Sequence, residues 1–442
     1  MATDPVDGIR DVVVVGGGIA GLACAWHLRG LDVLVLEASD RLGGRIRSEP
    51  RGEVWLNFGA HVFGGVDSAT GRLLDHTGVR AEQVEGRLAA VALKDRIVAS
   101  GPVETYPFRL PLSLRSRAAL MRAGVKLRLA VRRYAEVAAP RAGESPAARQ
   151  QRMLDFLDDR SFGDFIGPLP PDVDSIFRAT LNRSSGEPEE LAAGYGIGYF
   201  HLVWNRDAGL SRNILGGPSA LIDALSAGGD VLTGARVTEV APDGAGVLVR
   251  YGEHTVRARH AVVATPAYVT REIVRGLPDD TAAALAQIRY GPYVVGAFLT
   301  AATRPMPWDG LYALATPGRS FGMLFNTANV LRGRKRGGSL MVYAAAGAAR
   351  ALADLDDDAV RGRFRADLER LYPGTGGVVS ELAIQRWDRG LPYAAVGRAA
   401  LQAALTRPLG PIHLAGDYLG TWYTETACQT AETAAAAIRR AL

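Results

Sequence analysis

The chain opens with a buried strand that leads directly into a glycine turn and a helix. Residues 11–15 read Asp-Val-Val-Val-Val, an uninterrupted β-branched run that is typical of strands inside a parallel sheet. Gly-Gly-Gly-Ile-Ala-Gly follows at 16–21, then a helical stretch at 22–29 and an apolar strand at 32–37. Strand, turn, helix and strand form one βαβ unit, which predicts an α/β fold on a parallel sheet.

The glycine turn matches the G-x-G-x-x-G pattern of dinucleotide-binding folds. Gly16 allows the tight turn, Gly18 lets the backbone approach a pyrophosphate, and Gly21 lets the helix pack on the sheet. Ile19 and Ala20 belong to this turn, and the free N–H groups and the dipole of the helix that follows favour the same pyrophosphate.

The acid that closes the second strand, Glu37, completes this pattern. Its carboxylate can accept hydrogen bonds from ribose hydroxyls and would repel a 2′-phosphate. The segment after it, Ala-Ser-Asp-Arg-Leu-Gly-Gly-Arg, resembles the signature of the superfamily of FAD-dependent amine oxidases, protoporphyrinogen oxidases and phytoene desaturases. The resemblance implies that the dinucleotide is FAD. In this segment it places the following residues at the cofactor: Glu37, Ala38, Arg41, Gly43, Gly44 and Arg45.

The C-terminal end carries the same resemblance. Residues 414–417, Leu-Ala-Gly-Asp, resemble the second flavin motif of the superfamily. Residues 423–427, Tyr-Thr-Glu-Thr-Ala, resemble its Y-M-E-G-A stretch, with threonine where glycine is usual. That stretch begins a helix whose N-terminus points at the flavin in relatives. The implied cofactor-binding residues are Gly416, Asp417, Glu425, Thr426 and Ala427.

Other segments that resemble the superfamily lie between these ends. They are the loop that passes beside the flavin, the strand that meets the adenine, the return to the substrate domain and a tryptophan that precedes a proline and a tyrosine. The cofactor-binding residues that they imply are Gly59, Ala60, His61, Val237, Ala264 and Trp387.

The resemblance also predicts an amine-oxidase-like domain organisation. A Rossmann-like FAD-binding domain is expected from residues 1–75, 205–275 and 385–442. An α+β substrate-binding domain, interleaved with it, is expected from 76–204 and 276–384, with its helical part at about 105–200.

Three side chains are candidates for catalysis. His61 follows Gly59-Ala60, so it would face the substrate chamber and act as a base or donor near pH 7; the alternative is a structural histidine. Tyr393 and Tyr423 are candidates for an aromatic cage that orients the substrate; the alternative is core packing. Trp422 and Arg289 are weaker candidates for lining the cavity.

Two features bear on the reaction. Many amine oxidases of the superfamily carry a lysine near flavin N5, but residues 288–298 contain none and the three lysines lie elsewhere. The two cysteines, Cys24 and Cys428, exclude a disulfide scaffold and a multi-cysteine zinc site, and no metal site is predicted. Relatives that attach flavin through a cysteine carry it upstream of Gly416, so we expect non-covalent FAD.

Composition and charge limit the classes of binding partner and the cellular location that we expect for this protein. The net charge of +5 comes without basic clusters interleaved with aromatics, so nucleic-acid binding is not expected. The N-terminus lacks a signal peptide, and the apolar run at 12–26 is too short to span a membrane, so a cytoplasmic monomer or homodimer is expected.

Residues 113–134 form a basic helix. It is either a membrane-contacting helix or, preferred here, a solvated face over a packed stripe formed by Leu114, Ala118, Met121, Val125 and Leu129.

The resemblance implies hydride removal from a small hydrophobic metabolite to flavin N5. The preferred reaction is oxidation of an amine or amide C–N bond with O2 as acceptor, in a specialised biosynthetic pathway. A C–C desaturation or protoporphyrinogen-oxidase-like dehydrogenation is the second hypothesis, and an isomerase or mutase that requires reduced flavin is the third.

Overall fold

The computed structural model describes residues 8–84, 90–204, 210–302, 304–331, 338–421 and 423–442. Its strands, in chain order, are β1 (Arg10–Val15), β2 (Val33–Leu36), β3 (Ser48–Arg51), β4 (Val54–Asn57), β5 (Phe63–Gly64), β6 (Ala81–Gln83), β7 (Ala90–Leu93), β8 (Arg96–Val98), β9 (Leu210–Ile214), β10 (Asp230–Leu232), β11 (Val237–Asp243), β12 (Gly246–Tyr251), β13 (His254–Val263), β14 (Arg289–Thr300), β15 (Ala313–Ala315), β16 (Met323–Asn326), β17 (Gly338–Ala345), β18 (Val379–Tyr393) and β19 (Ile412–Leu414).

The α-helices of the same residues connect and cover these strands. They are α1 (Ile19–His27), α2 (Ala69–Thr77), α3 (Tyr106–Arg109), α4 (Leu114–Ala138), α5 (Pro146–Asp155), α6 (Phe162–Ile166), α7 (Pro171–Leu181), α8 (Ala193–Trp204), α9 (Ser219–Ser226), α10 (Ala267–Ile273), α11 (Asp279–Gln287), α12 (Gly347–Arg350), α13 (Asp357–Leu371), α14 (Gln402–Thr406) and α15 (Tyr423–Ala441).

The first sheet has the order β10-β2-β1-β13-β12-β11, and β19 also pairs with β13. The strands β10, β2, β1, β13 and β19 run parallel, and β1 is central, with Val13 opposite Leu34 on one side and Ala261 on the other. Its run of valines is at most 3 % exposed, since α1 and α15 cover one face and the β11–β13 region packs on the other. The predicted opening βαβ unit is therefore present.

The meander after α9 differs from the prediction in one respect. The sequence suggested one strand over 253–258 and a second over 260–265. The structure has a single strand, β13, in which the first half pairs antiparallel with β12 and the second half pairs parallel with β1. Arg259 interrupts the apolar pattern without breaking the strand, because its exposed side chain reaches Asp11 at 3.4 Å.

The second sheet has the order β18-β14-β17-β16-β15-β7-β8. Its pairs are antiparallel except β15 with β7. One face packs on the helical layer α4–α8 and the other on α13. The predicted domain boundary at residue 385 falls inside β18, which pairs with β14 as far as Tyr393. The division into two domains stays a prediction.

The long basic helix α4 presents the opposite face from the one expected. The stripe that was predicted to pack is exposed, with Leu114 80 % and Val125 63 % accessible to solvent. The buried stripe contains mostly small residues, and these let α8 pack closely against α4. Its apolar members are Ala119, Ala123, Leu127, Ala130, Tyr134 and Ala138. Among the described residues, no helix combines the length and apolar character needed to cross a membrane.

The close packing in the helical layer can be tested at two glycines. A Cβ at Gly194, in α8, would lie 1.6 Å from the carbonyl oxygen of Phe156, whereas a Cβ at Gly124, inside α4, would meet nothing within 4 Å. We expect Gly194→Ala to lower the free energy of unfolding by about 1–3 kcal/mol through overpacking. Gly124→Ala should raise it by about 0.5–1 kcal/mol, because alanine loses less backbone entropy in a helix. Urea unfolding of the two variants measures both effects, and equal stability of the two would contradict this packing.

Candidate active site

A cavity of about 790 Å³ is lined by residues of both sheets. One part of its wall comes from the glycine turn, the end of β2 and the start of β11, which include Gly16, Glu37 and Val237. Another part comes from β14, β17 and the helical layer, with Tyr293, Tyr343 and Tyr199 among the lining residues. The cavity therefore joins the predicted dinucleotide site to a second, aromatic chamber.

The glycines of the turn have the roles that the motif predicted. Gly16 has a φ of +107°, which only glycine adopts without strain. A Cβ at Gly21 would lie 1.9 Å from the carbonyl oxygen of Gly16, so helix α1 can approach the turn only because this residue is glycine. A Cβ at Gly18 would meet nothing within 4 Å, and no side chain caps the helix there. The first N–H groups of α1 are thus available to a ligand in the cavity.

The carboxylate of Glu37 is fixed beside this turn. Its Oε2 accepts a hydrogen bond from the N–H of Gly17 at 2.7 Å, and its Oε1 accepts from the backbone N–H and the hydroxyl of Ser39 at 2.8 Å each. Oε1 is then occupied by two donors, whereas Oε2 keeps a lone pair for a further donor such as a hydroxyl in the cavity.

An ion pair joins the two ends of the chain at the cavity wall. The Nη2 of Arg45 donates to Asp417 Oδ1 at 2.9 Å, and its Nη1 lies 2.8 Å from Oδ2. The same Nη1 donates to the carbonyl oxygen of Gly390 at 3.1 Å. Burial lowers the pKa of Arg45, but Asp417 outweighs this effect and the pKa is raised overall.

A second guanidinium holds the neighbouring loop. Arg41 donates to the carbonyl oxygens of Gly44 at 2.6 Å and Leu42 at 3.1 Å, and its Cζ lies 5.8 Å from the ring centroid of Trp387. The indole N–H of Trp387 donates to the carbonyl oxygen of Phe58 at 2.7 Å. These contacts fix the wall between the dinucleotide part and the aromatic chamber.

Most of the predicted cofactor and catalytic residues line this cavity. They are Gly16, Gly18, Ile19, Ala20, Glu37, Ala38, Arg41, Gly43, Gly44, Arg45, Gly59, Ala60, His61, Val237, Ala264, Trp387, Gly416, Asp417, Tyr423 and Ala427. Others among the described predictions lie off it: Gly21, Arg289, Tyr393, Glu425 and Thr426. Trp422 lies outside the described residues.

Glu425 has a structural contact in place of the predicted cofactor contact. Its carboxylate accepts hydrogen bonds from the backbone N–H groups of Ala69 at 2.7 Å and Thr70 at 3.1 Å, and from the hydroxyl of Thr70 at 3.0 Å. These are free N–H groups at the start of α2, where the helix dipole also favours a carboxylate. The side chain therefore ties α15 to α2, and Thr426 is buried beside it.

Tyr393 does not face the aromatic chamber. It lies opposite Arg289 at the end of the β14–β18 ladder, beyond a bulge in which residues 388–390 of β18 stand against a single residue of β14. Tyr393 packs in the core against the helical layer, near Arg289 and Glu190. The predicted cage of Tyr393 and Tyr423 is therefore not formed.

Three tyrosines that the sequence did not single out join Tyr423 on the chamber wall: Tyr199, Tyr293 and Tyr343. The rings of Tyr293 and Tyr343 meet edge to face, with centroids 5.3 Å apart. The hydroxyl of Tyr293 donates to the carbonyl oxygen of Arg183 at 2.9 Å. Burial raises the pKa of Tyr293 and of Tyr423, so both hydroxyls stay neutral.

Arg183 is the other residue of this chamber that the sequence did not reveal. It lies in a short turn after α7, and its Cζ sits 4.9 Å from the ring centroid of Phe325 and 5.6 Å from that of Tyr199. The segment Asn-Arg-Ser-Ser shows no motif, so only the packing of α7 against β7 and β15 could have indicated its position.

His61 lies on the chamber wall but cannot be the donor that the sequence suggested. Burial lowers its pKa to about 4, with a smaller contribution from Arg183 that also lowers it, so the ring is neutral near pH 7. Its Nδ1 lies 3.2 Å from the carbonyl oxygen of Gly59, which can only accept, so Nδ1 carries the hydrogen. Nε2 is left with a lone pair, and no described residue forms a hydrogen bond with it.

The shifted pKa of His61 predicts a pH dependence of stability. Because the pKa falls from 6.5 to about 4 on folding, the unfolded chain binds more protons between these values. The free energy of unfolding therefore falls as the pH falls from 6.5 to 4, by up to about 1.4 kcal/mol per pH unit for this one proton. We expect His61→Gln to reduce this slope in urea unfolding at pH 7, 6 and 5. His413, whose pKa burial also lowers to about 4, provides a matched variant outside the cavity. An unchanged slope in His61→Gln would contradict the prediction.

The comparisons with known proteins agree with this geometry. Residues 19–439 match the family described as flavin containing amine oxidoreductase. A stretch of 105 residues is 37 % identical to the pig (Sus scrofa) flavin-containing amine oxidase B and covers 23 % of this chain and 19 % of that protein. A stretch of 82 residues is 42 % identical to protoporphyrinogen oxidase 2 of Arabidopsis thaliana and covers 18 % of this chain and 16 % of that protein. These matches span less than a quarter of either relative.

The whole fold also has a solved counterpart. Cyclohexylamine oxidase from Brevibacterium oxydans superposes with a TM-score of 0.78 at 20 % sequence identity, covering 98 % of this chain and 99 % of that one. The likeness concerns the fold, and it confirms the predicted α/β, amine-oxidase-like fold class. From the family match over nearly its whole length, the chain belongs to the flavin-containing amine oxidoreductases.

Proposed function

We propose that this protein is an FAD-dependent oxidoreductase that oxidises the C–N bond of a small amine or amide with O2 as electron acceptor. The observation that carries the proposal is the continuous cavity that joins the glycine turn to a chamber walled by tyrosines. Its volume of about 790 Å³ lies within the usual range for cofactor and ligand sites.

The described residues fit FAD at the dinucleotide end. The uncapped N–H groups at the start of α1 suit the pyrophosphate, and the fixed carboxylate of Glu37 suits the ribose hydroxyls. Val237 and Ala264 line the wall that the family resemblance assigns to the adenine and to the return strand. When bound, the flavin supplies the two-electron acceptor that the side chains of this chamber lack.

The tyrosine chamber supports an amine as substrate. The faces of Tyr293, Tyr343 and Tyr423 are electron-rich and attract a cationic or partly positive nitrogen. Tyr423 has a φ of +45°, which costs energy for a residue with a side chain and persists only where the surroundings impose it. Such strain is concentrated at functional sites, and here it places the ring of Tyr423 on the chamber wall.

The reaction balances without further cofactors. The substrate carbon gives up a hydrogen with two electrons, its nitrogen loses a proton, and the C–N bond becomes C=N. O2 takes up the two electrons with two protons and leaves as hydrogen peroxide, and water hydrolyses the imine to a carbonyl compound and an amine or ammonia. The neutral ring of His61 is suited to accept a hydrogen bond at Nε2, and we assign it to positioning the nitrogen.

One observation favours dehydrogenation of a C–C bond as a second candidate. No lysine is found among the described residues of the cavity wall. The amine groups of Lys94 and Lys126 bind the carbonyl oxygens of Pro111 and Phe165 instead, and Lys335 lies outside the described residues. The described part of the cavity wall thus lacks the lysine that many amine oxidases of the superfamily carry, and a desaturase or porphyrinogen dehydrogenase is the alternative.

The first experiment is an anaerobic visible spectrum of the purified protein against a panel of amines, a porphyrinogen and a polyene, followed by air. We expect an amine to bleach the flavin band, and air to restore it with release of peroxide. Bleaching by the porphyrinogen or the polyene alone would support the second candidate. A protein without flavin absorbance, in spite of added FAD, would overturn the proposal. A flavin that is active only after chemical reduction would support a mutase.

The attachment of the flavin gives a second prediction. Cys24 and Cys428, the two cysteines of the sequence, are fully buried and do not line the cavity. Burial raises the pKa of Cys24 to about 12 and raises the pKa of Cys428, so neither thiol ionises readily. We expect acid precipitation to release all flavin into the supernatant, for the wild type and for Cys428→Ala alike. Flavin retained in the wild-type pellet would contradict non-covalent binding.

A further inference from the structure

Arg183 brings a positive charge into the tyrosine chamber, and no carboxylate in the described part of the chain pairs with it. It lines the cavity, and its guanidinium lies over the rings of Phe325 and Tyr199. The groups that act on its charge are the hydroxyls of Tyr199, Tyr343, Tyr312 and Tyr423, all neutral at physiological pH. None of the described carboxylates forms an ion pair with it, and no described residue forms a hydrogen bond with its Nη1.

Arg45, on the wall of the same cavity, differs from Arg183 because its guanidinium is paired with a carboxylate. Its guanidinium is bound by both oxygens of Asp417 and by the carbonyl oxygen of Gly390. A buried guanidinium without such a counter-charge costs several kcal/mol. A ligand that carries an anion into the chamber would remove that cost at Arg183, and the planar, two-pronged guanidinium matches a carboxylate.

We propose that the substrate of this enzyme is an amine that carries a carboxylate, and that Arg183 binds the carboxylate. This inference rests on the proposed C–N oxidation and names its substrate class. The tyrosine rings of the chamber receive the apolar part and the nitrogen of the substrate, while Arg183 fixes its acidic end.

The distance between the two polar groups of the substrate follows from Phe325. The ring of His61 lies 4.5 Å from the Phe325 centroid, and the Cζ of Arg183 lies 4.9 Å from the same centroid. The ring of His61, which would accept a hydrogen bond from the nitrogen, and the guanidinium of Arg183, which would bind the carboxylate, therefore both contact Phe325. The ring of His61 and the Cζ of Arg183 are therefore no more than about 9.4 Å apart, so one small amine that carries a carboxylate can reach both.

The wild-type enzyme tests the substrate class with matched pairs that differ only in the carboxylate. The pairs are phenethylamine with phenylalanine, tryptamine with tryptophan, and isopentylamine with leucine, each acid as both enantiomers. We expect the preferred acid to exceed its amine in kcat/KM by about tenfold or more. If every amine is oxidised faster than its acid, the inference is overturned although the proposed C–N oxidation stands.

A binding experiment tests Arg183 without turnover. Benzoate and benzyl alcohol differ in charge but hardly in shape, and isothermal titration of the flavin-loaded enzyme measures both. We expect benzoate to bind the wild type, to bind Arg183→Met about 100-fold more weakly and to bind Arg183→Lys with an intermediate loss. Benzyl alcohol should bind all three alike. Arg363→Met, which removes an exposed arginine of α13, controls for net charge.

The outcomes separate the two proposals. Equal affinity of benzoate for the wild type and Arg183→Met overturns the carboxylate subsite. Benzoate binding that depends on Arg183, in an enzyme that oxidises neither amines nor amino acids, supports the subsite and shows that the proposed C–N oxidation is wrong. If Arg183→Met does not fold, Arg183→Lys decides, since it keeps the charge but loses the two-pronged geometry. Affinity for benzoate that Arg183→Lys leaves unchanged then overturns the inference.

Discussion

The guanidinium of Arg45 holds together three segments that are far apart along the chain. It binds Asp417 through both carboxylate oxygens and also binds the carbonyl oxygen of Gly390. A pair of this kind must recover the cost of removing two charges from water, so its geometry has to be fixed on all sides. The loop after β2, the end of β18 and the segment after β19 are therefore held at one place, and the cavity lies where they meet.

The aromatic chamber depends on the alternation of side chains between the two faces of its sheet. Side chains two residues apart on a strand point to the same face of the sheet. Tyr293 and Val295 on β14, and Met341 and Tyr343 on β17, therefore face the cavity together. The helical layer closes this face with Tyr199 and Arg183. The sheet supplies aromatic walls, and the turn after α7 adds the guanidinium of Arg183 to them.

The sequence predicted the glycine turn and the strands around the proposed dinucleotide end of the cavity because their determinants are local. The roles of Gly16, Gly18 and Gly21 follow from backbone geometry within six residues, and Glu37 follows at a fixed spacing. The chamber was predicted poorly because its residues come together only through packing. Arg183 lies in a segment without a motif, and Tyr393 packs in the core although its neighbours Trp387 and Leu391 line the cavity.

The wrong prediction of the buried face of α4 has a similar physical origin. Two apolar stripes run along this helix, one of large side chains and one of mostly small ones. Hydropathy favours burial of the larger stripe, but the approach of α8 selects the smaller one. The contacts of Glu425 escaped prediction for a related reason, since the family pattern fixes its position in the chain but not the free N–H groups of α2 that it meets.

The order along the chain of the segments that line the cavity has a consequence for biosynthesis. The turn at Gly16 and the strands β1 and β2 leave the ribosome first, whereas β19, Asp417 and α15 leave it last. Helix α1 packs against α15, and β1 pairs with β13 more than 200 residues later. Chains made from the N-terminus usually fold domain by domain as they emerge. Here the first strands must wait for α15, so a nascent chain cannot close the wall of the cavity until that helix has been synthesised.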